Sequence, residues 1–178
     1  MFARTPRLTL RPGWPEDAPA LHAAIAHEVV VSRLGRAPWP YTPDDAAAFL
    51  TTPPGPSEVT CLIWSHEARE PQLVGGIGVA ADEGGHELGY WLTPAAWGRG
   101  YATEAARVVV DIARHALRLP RLVAAHHLDN PASARVLAKV GFREIARTRR
   151  FSRGRGADVE CGVHELDLKS SQAVPMAA

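Results

Sequence analysis

Two glycines one residue apart, Gly98 and Gly100, stand between an alternating segment, His86 to Leu92, and an alanine- and valine-rich segment, Ala102 to Leu117. Strict alternation predicts a strand and the second segment predicts a helix, so the stretch between them is a strand-to-helix loop. Glycine at those positions permits positive φ and removes the Cβ atoms that would keep a ligand off the backbone. A helix that opens directly afterwards presents its unpaired N–H groups and the positive end of its dipole to whatever occupies the loop. Trp97, Gly98, Arg99, Gly100, Tyr101, Ala102 and Thr103 therefore form either a phosphate or pyrophosphate site or a plain tight turn.

The neighbouring residues narrow the choice of phosphate. A nucleoside-triphosphate loop needs Gly-Lys-Ser/Thr where the helix begins, and Gly100 is followed by Tyr101 and Ala102. A dinucleotide fingerprint needs a small residue at 103 and repeated strand-helix-strand units, whereas Thr103 is present and the preceding region reads as hairpins.

The rest of the chain falls into short elements. Arg7 to Arg11 alternates and stops at Pro12-Gly13, as a strand before a turn does. Pro15-Glu16-Asp17 offers helix-start chemistry, with Leu21, Ile25 and Val29 following at four-residue spacing. Leu34 to Tyr41 is a proline-bracketed loop around Trp39, whose aromatics either line a pocket or plug the core. Thr42-Pro43-Asp44-Asp45 opens a short helix expected to bury Phe49 and Leu50, and Pro53-Pro54-Gly55-Pro56 ends it. Val59 to Trp64, Gln72 to Ala80 and His86 to Leu92 form an antiparallel meander, the last turn being Asp82 to Gly85. The helix from Ala102 carries a stripe of Ala105, Val109, Ile112 and Ala116, and Pro120 ends it.

After that helix, Arg121 to Leu128 reads as a strand that can lie parallel to His86 to Leu92 through a right-handed crossover. Asn130-Pro131 caps a helix running to Val140 and closing at Gly141. Phe142 to Phe151 and Val159 to Leu168 form a final hairpin, and residues 169–178 read as a loose tail. The expectation is a single domain over 1–178 with an ordered core of about 7–168.

Together the strand, loop and helix resemble the acyl-CoA-binding motif of the GNAT superfamily of N-acyltransferases, in which Gln/Arg-x-x-Gly-x-Gly/Ala appears here as Trp97-Gly98-Arg99-Gly100-Tyr101-Ala102. Trp97 departs from that pattern. With Glu87-Leu88-Gly89-Tyr90-Trp91-Leu92 before it and Pro38-Trp39-Pro40-Tyr41 and Asn130-Pro131-Ala132-Ser133 elsewhere, the chain is similar to the Rim-type branch, which acetylates ribosomal-protein N-termini. The resemblance spans Arg7 to about Leu168. It implies an α+β GNAT fold: a mixed, mostly antiparallel central sheet with helices on both faces and a parallel strand pair diverging at the acyl-CoA cleft. It further implies acetyl-CoA as cosubstrate, held by Trp91, Leu92, residues 97–103, Asn130 and Ser133, without a metal, and leaves a homodimer open.

Amine acetylation requires a deprotonated amine and an acid for the departing thiolate. A lysine amine with a pKa of about 10.4, or an α-amine near 8, needs a base, usually a carboxylate working through water. Glu87 is the candidate, on the strand face shared with Gly89 and Trp91; the alternative is a surface or salt-bridged glutamate. Many members of the superfamily carry a tyrosine seven residues after the asparagine, but Leu137 stands there. Ser133 is the nearest polar substitute, or simply a serine in a first helical turn, just as Asn130 is either a cap or a pantetheine ligand. Adjacent His126 and His127 point to opposite faces, one expected to be buried and one near the cleft as an alternative base. Trp39, Tyr41, Glu87 and Phe151 are the expected acceptor contacts. Arg147, Arg149, Arg150, Arg153 and Arg155 read as a solvated hairpin tip.

Bulk properties exclude some classes. A net charge of +1 provides no global attraction to nucleic acid or membrane, and no apolar run is long enough to span a bilayer. The start of the chain has no apolar leader core, so a cytoplasmic location is expected. Cys61 and Cys161 match no metal or redox spacing and read as reduced, buried thiols. Two readings remain: an acetyltransferase acting on a protein N-terminus or a small amine such as an aminoglycoside or polyamine, and an acyl-CoA-binding regulatory module without turnover.

Overall fold

The computed structural model describes residues 2–82 and 85–169. Eight strands form one sheet in the order β1-β2-β3-β4-β5-β6-β8-β7. They are β1 (Ala3–Arg4), β2 (Leu8–Arg11), β3 (Val59–Ser65), β4 (Gln72–Asp82), β5 (Gly85–Leu92), β6 (Arg121–His127), β7 (Arg143–Ser152) and β8 (Ala157–Asp167). All neighbours are antiparallel except β5 and β6, which are parallel and register at a single pair, Glu87 and Val123. Beyond that pair the two strands splay, as the resemblance implied. Glu83 and Gly84 of the expected β4–β5 turn, and residues 170–178 of the expected tail, lie outside the described residues.

Helices cover both faces. On one face α4 (Tyr101–His115) and α5 (Pro131–Val140) bury Ala105, Val109, Ala113 and Leu137 against Leu88, Leu92, Leu122 and Ala124 of the sheet. Each fully buried leucine or valine of this set contributes about 1.5–3 kcal/mol. On the other face α1 (Ala18–Ile25), α2 (Glu28–Val31) and α3 (Pro43–Thr51) pack Leu21, Ile25, Val31, Tyr41 and Ala46 against Leu62, Trp64 and Trp91. Among the described residues no helix is long and apolar enough to cross a membrane, and no three His, Cys, Asp or Glu side chains are grouped to hold a metal ion.

The structure departs from the sequence expectations in several places. The first helix is not continuous: a 3₁₀ turn at Pro15–Asp17 leads into α1, the backbone breaks at Ala26 and extended His27, and α2 restarts. That break rotates the buried stripe, so Val30 and Val31 are inside and Val29 is exposed. In α3 the buried residue is Ala46, while Phe49 is exposed and Leu50 half-buried, because only one narrow line of this short helix touches the sheet. In α4 the stripe passes through Ala113 rather than Ala116, which is exposed. Pro120 is not what stops α4: the helix ends at His115, and Arg118 adopts φ 53° before β6 begins. Both cysteines are buried and free.

The β7–β8 hairpin is long, and its tip folds back over the α1–α3 face. Ser152, fully buried, donates its hydroxyl to the Leu34 carbonyl at 2.9 Å, and the Arg153 N–H donates to the Gly35 carbonyl at 2.9 Å. Arg155 donates to the Ser32 carbonyl at 2.6 Å and pairs with Asp129 at 2.7 Å. A Cβ at Gly154 would lie 2.3 Å from the Val31 carbonyl oxygen, so glycine is what allows this contact. The tip backbone, Ser152 and the Arg155 guanidinium thus dock on the carbonyls of Ser32, Leu34 and Gly35 just after α2, while the side chains of Arg147, Arg149 and Arg153 remain exposed as the sequence reading expected.

Candidate active site

A cavity of about 800 Å³ opens where β5 and β6 part. It runs from the α1–α3 face, lined there by Arg36, Tyr41 and Phe49, past Glu87 and Trp91 to the start of α4 and the first turn of α5. Asn130 and Ser133 are on its wall, as are Trp97, Gly98, Gly100, Ala102 and Thr103.

The loop end is shaped by its backbone. Gly98 and Gly100 sit at φ 75° and 80°, the left-handed region that side chains rarely adopt. Nothing lies within 4 Å of a Cβ built on Gly98, and only the Arg7 guanidinium at 3.5 Å faces one on Gly100, so the inner surface is free for a ligand. As opening residues of α4, Tyr101, Ala102 and Thr103 have N–H groups with no intrahelical acceptor. Arg7 braces the loop by donating to the Arg99 carbonyl at 2.9 Å while pairing with Glu104 at 2.6 Å. The side chains of Arg99 and Tyr101 turn away from the cavity: both engage Glu67, and Tyr101 is fully buried. Trp97 donates its indole N–H to the Leu92 carbonyl at 2.9 Å, tying the loop to the end of β5, and Arg33 stacks 4.8 Å over its ring. A pyrophosphate-bearing cosubstrate fits this end.

Glu87 and Ser133 flank the cavity on opposite sides of the sheet. Glu87 shares its face with Trp91, whose indole lies across Gly76, where a Cβ would meet Nε1 at 2.6 Å. Arg150 of β7 donates to the Glu87 carboxylate at 2.8 Å. Burial pushes the Glu87 carboxyl pKa up, with Arg150 opposing and neighbouring Asp82 reinforcing the rise. On the other face the Tyr90 hydroxyl sits 2.8 Å from the Ser133 hydroxyl and 3.1 Å from the Ser133 carbonyl, two acceptors for its single proton. Burial drives the Tyr90 pKa up to about 12, so the phenol stays protonated near neutral pH. The amide oxygen of Asn130 accepts from the Ser133 N–H at 3.4 Å and so caps α5.

Sequence reasoning missed Tyr90 and Arg150 as partners. The alternation that set Tyr90 on the face opposite Glu87 already pointed it toward α5, which was the available signal for the first. No local pattern signals the second, since the pair spans 63 residues. Trp39 and Phe151 are exposed and off the cavity wall, while Tyr41 lies on it, buried, with its pKa also pushed up to about 12. The histidines of β6 divide as expected, although both are buried: His126 touches the cavity and meets His164 at 3.1 Å, and His127 packs under the docked hairpin tip. Burial lowers the pKa of each.

Comparison with known proteins agrees with this geometry. Residues 7–143 match the acetyltransferase (GNAT) domain family. An uncharacterized N-acetyltransferase of Bacillus subtilis, YoaA, is 30% identical over 166 residues, covering 91% of this chain and 94% of the relative. A GNAT-family acetyltransferase structure from Bacillus anthracis superposes with a TM-score of 0.81 at 22% identity, covering 96% of this chain and all of that one. A Vibrio cholerae protein described as a candidate ribosomal-protein-serine acetyltransferase superposes with a TM-score of 0.74 at 18% identity, covering 94% and 97%. The splayed parallel pair, the left-handed glycine loop at the start of α4 and the family match over most of its length agree, and the chain belongs to the GNAT family of acetyltransferases.

Proposed function

We propose that this acetyl-CoA-dependent N-acetyltransferase acetylates a protein N-terminal amine by direct attack within a ternary complex. The observation that carries the reading is one continuous cavity with a backbone anion site at α4 and a half-buried carboxylate, Glu87, facing its other end. The Vibrio cholerae protein, described as acting on a ribosomal protein, shares this fold, which is consistent with a peptide acceptor.

In this reading Glu87 receives the ammonium proton, directly or through a water, leaving the nitrogen lone pair free to attack the thioester carbonyl carbon. A carboxylate whose pKa is raised by burial is a stronger base than an exposed one. As the carbon–sulfur bond breaks, Ser133 donates a hydrogen bond to the departing sulfur. Tyr90 fixes that hydroxyl: when the phenol donates to Ser133 Oγ, the serine proton is left pointing elsewhere. With a pKa near 12, Tyr90 is too weak an acid to protonate a thiolate whose own pKa is about 8.5, so its part is to hold Ser133. The loop 97–103 carries the pyrophosphate on its N–H groups.

The test is release of free CoA from acetyl-CoA with peptides bearing free and blocked N-termini and with small amines. Turnover confined to free N-termini is expected. Equal turnover of simple amines would replace the peptide with a small-molecule acceptor.

A further inference from the structure

The acceptor end of the cavity is basic. Arg33 and Arg36 come from the loop after α2, and Arg153 from the docked hairpin tip. Four carboxylates lie near them, and each is engaged elsewhere: Asp45 near Arg153 accepts from the Thr42 N–H and hydroxyl at 2.9 and 2.6 Å, Glu58 near Arg36 accepts from the Gly55 and Ala81 N–H groups at 2.7 Å, Asp129 near Arg33 is paired with Arg155, and Glu87 is paired with Arg150. Arg33 stacks on Trp97, but none of the three guanidinium groups on the wall forms an ion pair among the described residues. This is the reverse of what a polyamine or an aminoglycoside requires. A polycation would meet three guanidinium groups that no direct ion pair neutralises, at the point where it must also approach closely. Positive surroundings do help one nitrogen lose its proton, since they disfavour the ammonium form. They help only if the rest of the molecule is attracted to them.

Building on the reading that this opening takes the acceptor, we propose that the acceptor is a primary amine on an anionic molecule, with Arg36 and Arg153 binding its negative groups. The shared chemistry is an amine with nearby carboxylates or phosphates, carried by a peptide N-terminus followed by acidic residues or by a small anionic amine. Arg33 is closer to the cofactor loop through Trp97, so the distinction rests on the other two. Both are exposed, and Arg153 anchors the hairpin through its backbone N–H, so reversing its charge leaves that bond in place.

The experiment measures kcat/KM at fixed saturating acetyl-CoA for peptides beginning Ser-Glu-Glu, Ser-Gln-Gln and Ser-Lys-Lys, and for phosphoserine, glutamate and spermidine. The expected order is acidic over neutral over basic, by about tenfold per step at low salt, falling as salt rises. In the double variant Arg36→Glu, Arg153→Glu the order inverts while KM for acetyl-CoA holds. A flat order, a preference for Ser-Lys-Lys or spermidine, or an acidic preference that survives charge reversal overturns the proposal. If the small anionic amines are turned over and the peptides are not, the peptide reading fails and the anionic acceptor stands. If all three peptides are equal, the peptide reading stands and the anionic acceptor falls.

Discussion

The two ends of the cavity are built differently. The cofactor end is a contiguous run, residues 97–103, and its working parts belong to the backbone: two left-handed glycines and the opening N–H groups of α4. The acceptor end is made of side chains from the loop after α2, α3, β5 and the β7–β8 hairpin, joined by contacts spanning 63, 118 and 123 residues of sequence. A backbone site tolerates many side-chain changes around it and leaves a short, readable signature. A site made of side chains depends on long-range pairing, and each change on its wall changes what fits.

The sharpest way to break this comparison is at Glu87, where the acceptor end does its chemistry. Glu87→Gln keeps the shape and should lower kcat by about 10²- to 10⁴-fold if the carboxylate is the base. The loss should shrink as pH rises and more acceptor arrives deprotonated. In the unmodified enzyme burial raises the Glu87 pKa, so activity should fail as pH drops through that raised value. Arg150 opposes the rise, and Arg150→Ala should therefore move the acid limb to higher pH. A kcat near that of the unmodified enzyme in Glu87→Gln would move the base to His126, which touches the same cavity.

The cofactor end is tested by Gly100→Val. A β-branched residue at φ 80° costs about 1–3 kcal/mol and brings methyl groups to the ligand face. CoA affinity measured by calorimetry should fall by about tenfold or more, with far-ultraviolet circular dichroism unchanged. Unchanged affinity would remove the loop from the binding site.

What could be read from the sequence follows the same division. The glycine loop and the cap at Asn130 were visible because each is set by residues a few positions apart, and the parallel pair because a helix between two strand patterns implies a crossover. The break at Ala26, which sends Val29 outward, was not, because the four-residue spacing of Leu21, Ile25 and Val29 satisfies a helix that the tertiary structure interrupts. Tertiary demand overrides local pattern there. Phe49, Trp39 and Phe151 were assigned by side-chain type, and side-chain type does not say which aromatic ends up exposed. Arg150 and Arg153 looked like any charged hairpin, because the partner of the first, Glu87, and of the second's backbone, the Gly35 carbonyl, lie far off in sequence.

A smaller effect lies at Tyr90, where the two faces meet. Tyr90→Phe removes one hydroxyl, worth about 1 kcal/mol or roughly fivefold in kcat. A merely structural tyrosine and one that acts through Ser133 differ in a double-mutant cycle. If Tyr90 works by orienting Ser133, Tyr90→Phe should cost little in a Ser133→Ala background. Additive losses would assign Tyr90 a packing role alone.

The smallest expected effect concerns β6, the strand shared by both ends. His126 and His127 on β6 and His164 on β8 are buried, and burial lowers all three pKa values below the usual 6.5. The unfolded chain then binds more protons than the folded one once pH falls below about 6.5, so the stability these histidines contribute is complete above that value and is lost toward their lowered values. Glu144 on β7 favours a charge on His126 and His164, and Asp129 favours one on His127, whereas Arg147 and Arg155 disfavour it. Glu87 acts with the opposite sign, since its raised pKa makes the folded state bind the extra proton above the usual 4.5. Melting temperature should thus fall between pH 6.5 and 5, by at most about 1.4 kcal/mol of stability per pH unit for each proton taken up on unfolding. His164→Gln keeps a polar partner for His126 Nδ1 and should flatten that fall, and Glu87→Gln should steepen it. An unchanged slope in His164→Gln would mean that the pair is charged or solvated in the folded protein, and that the acid sensitivity originates elsewhere.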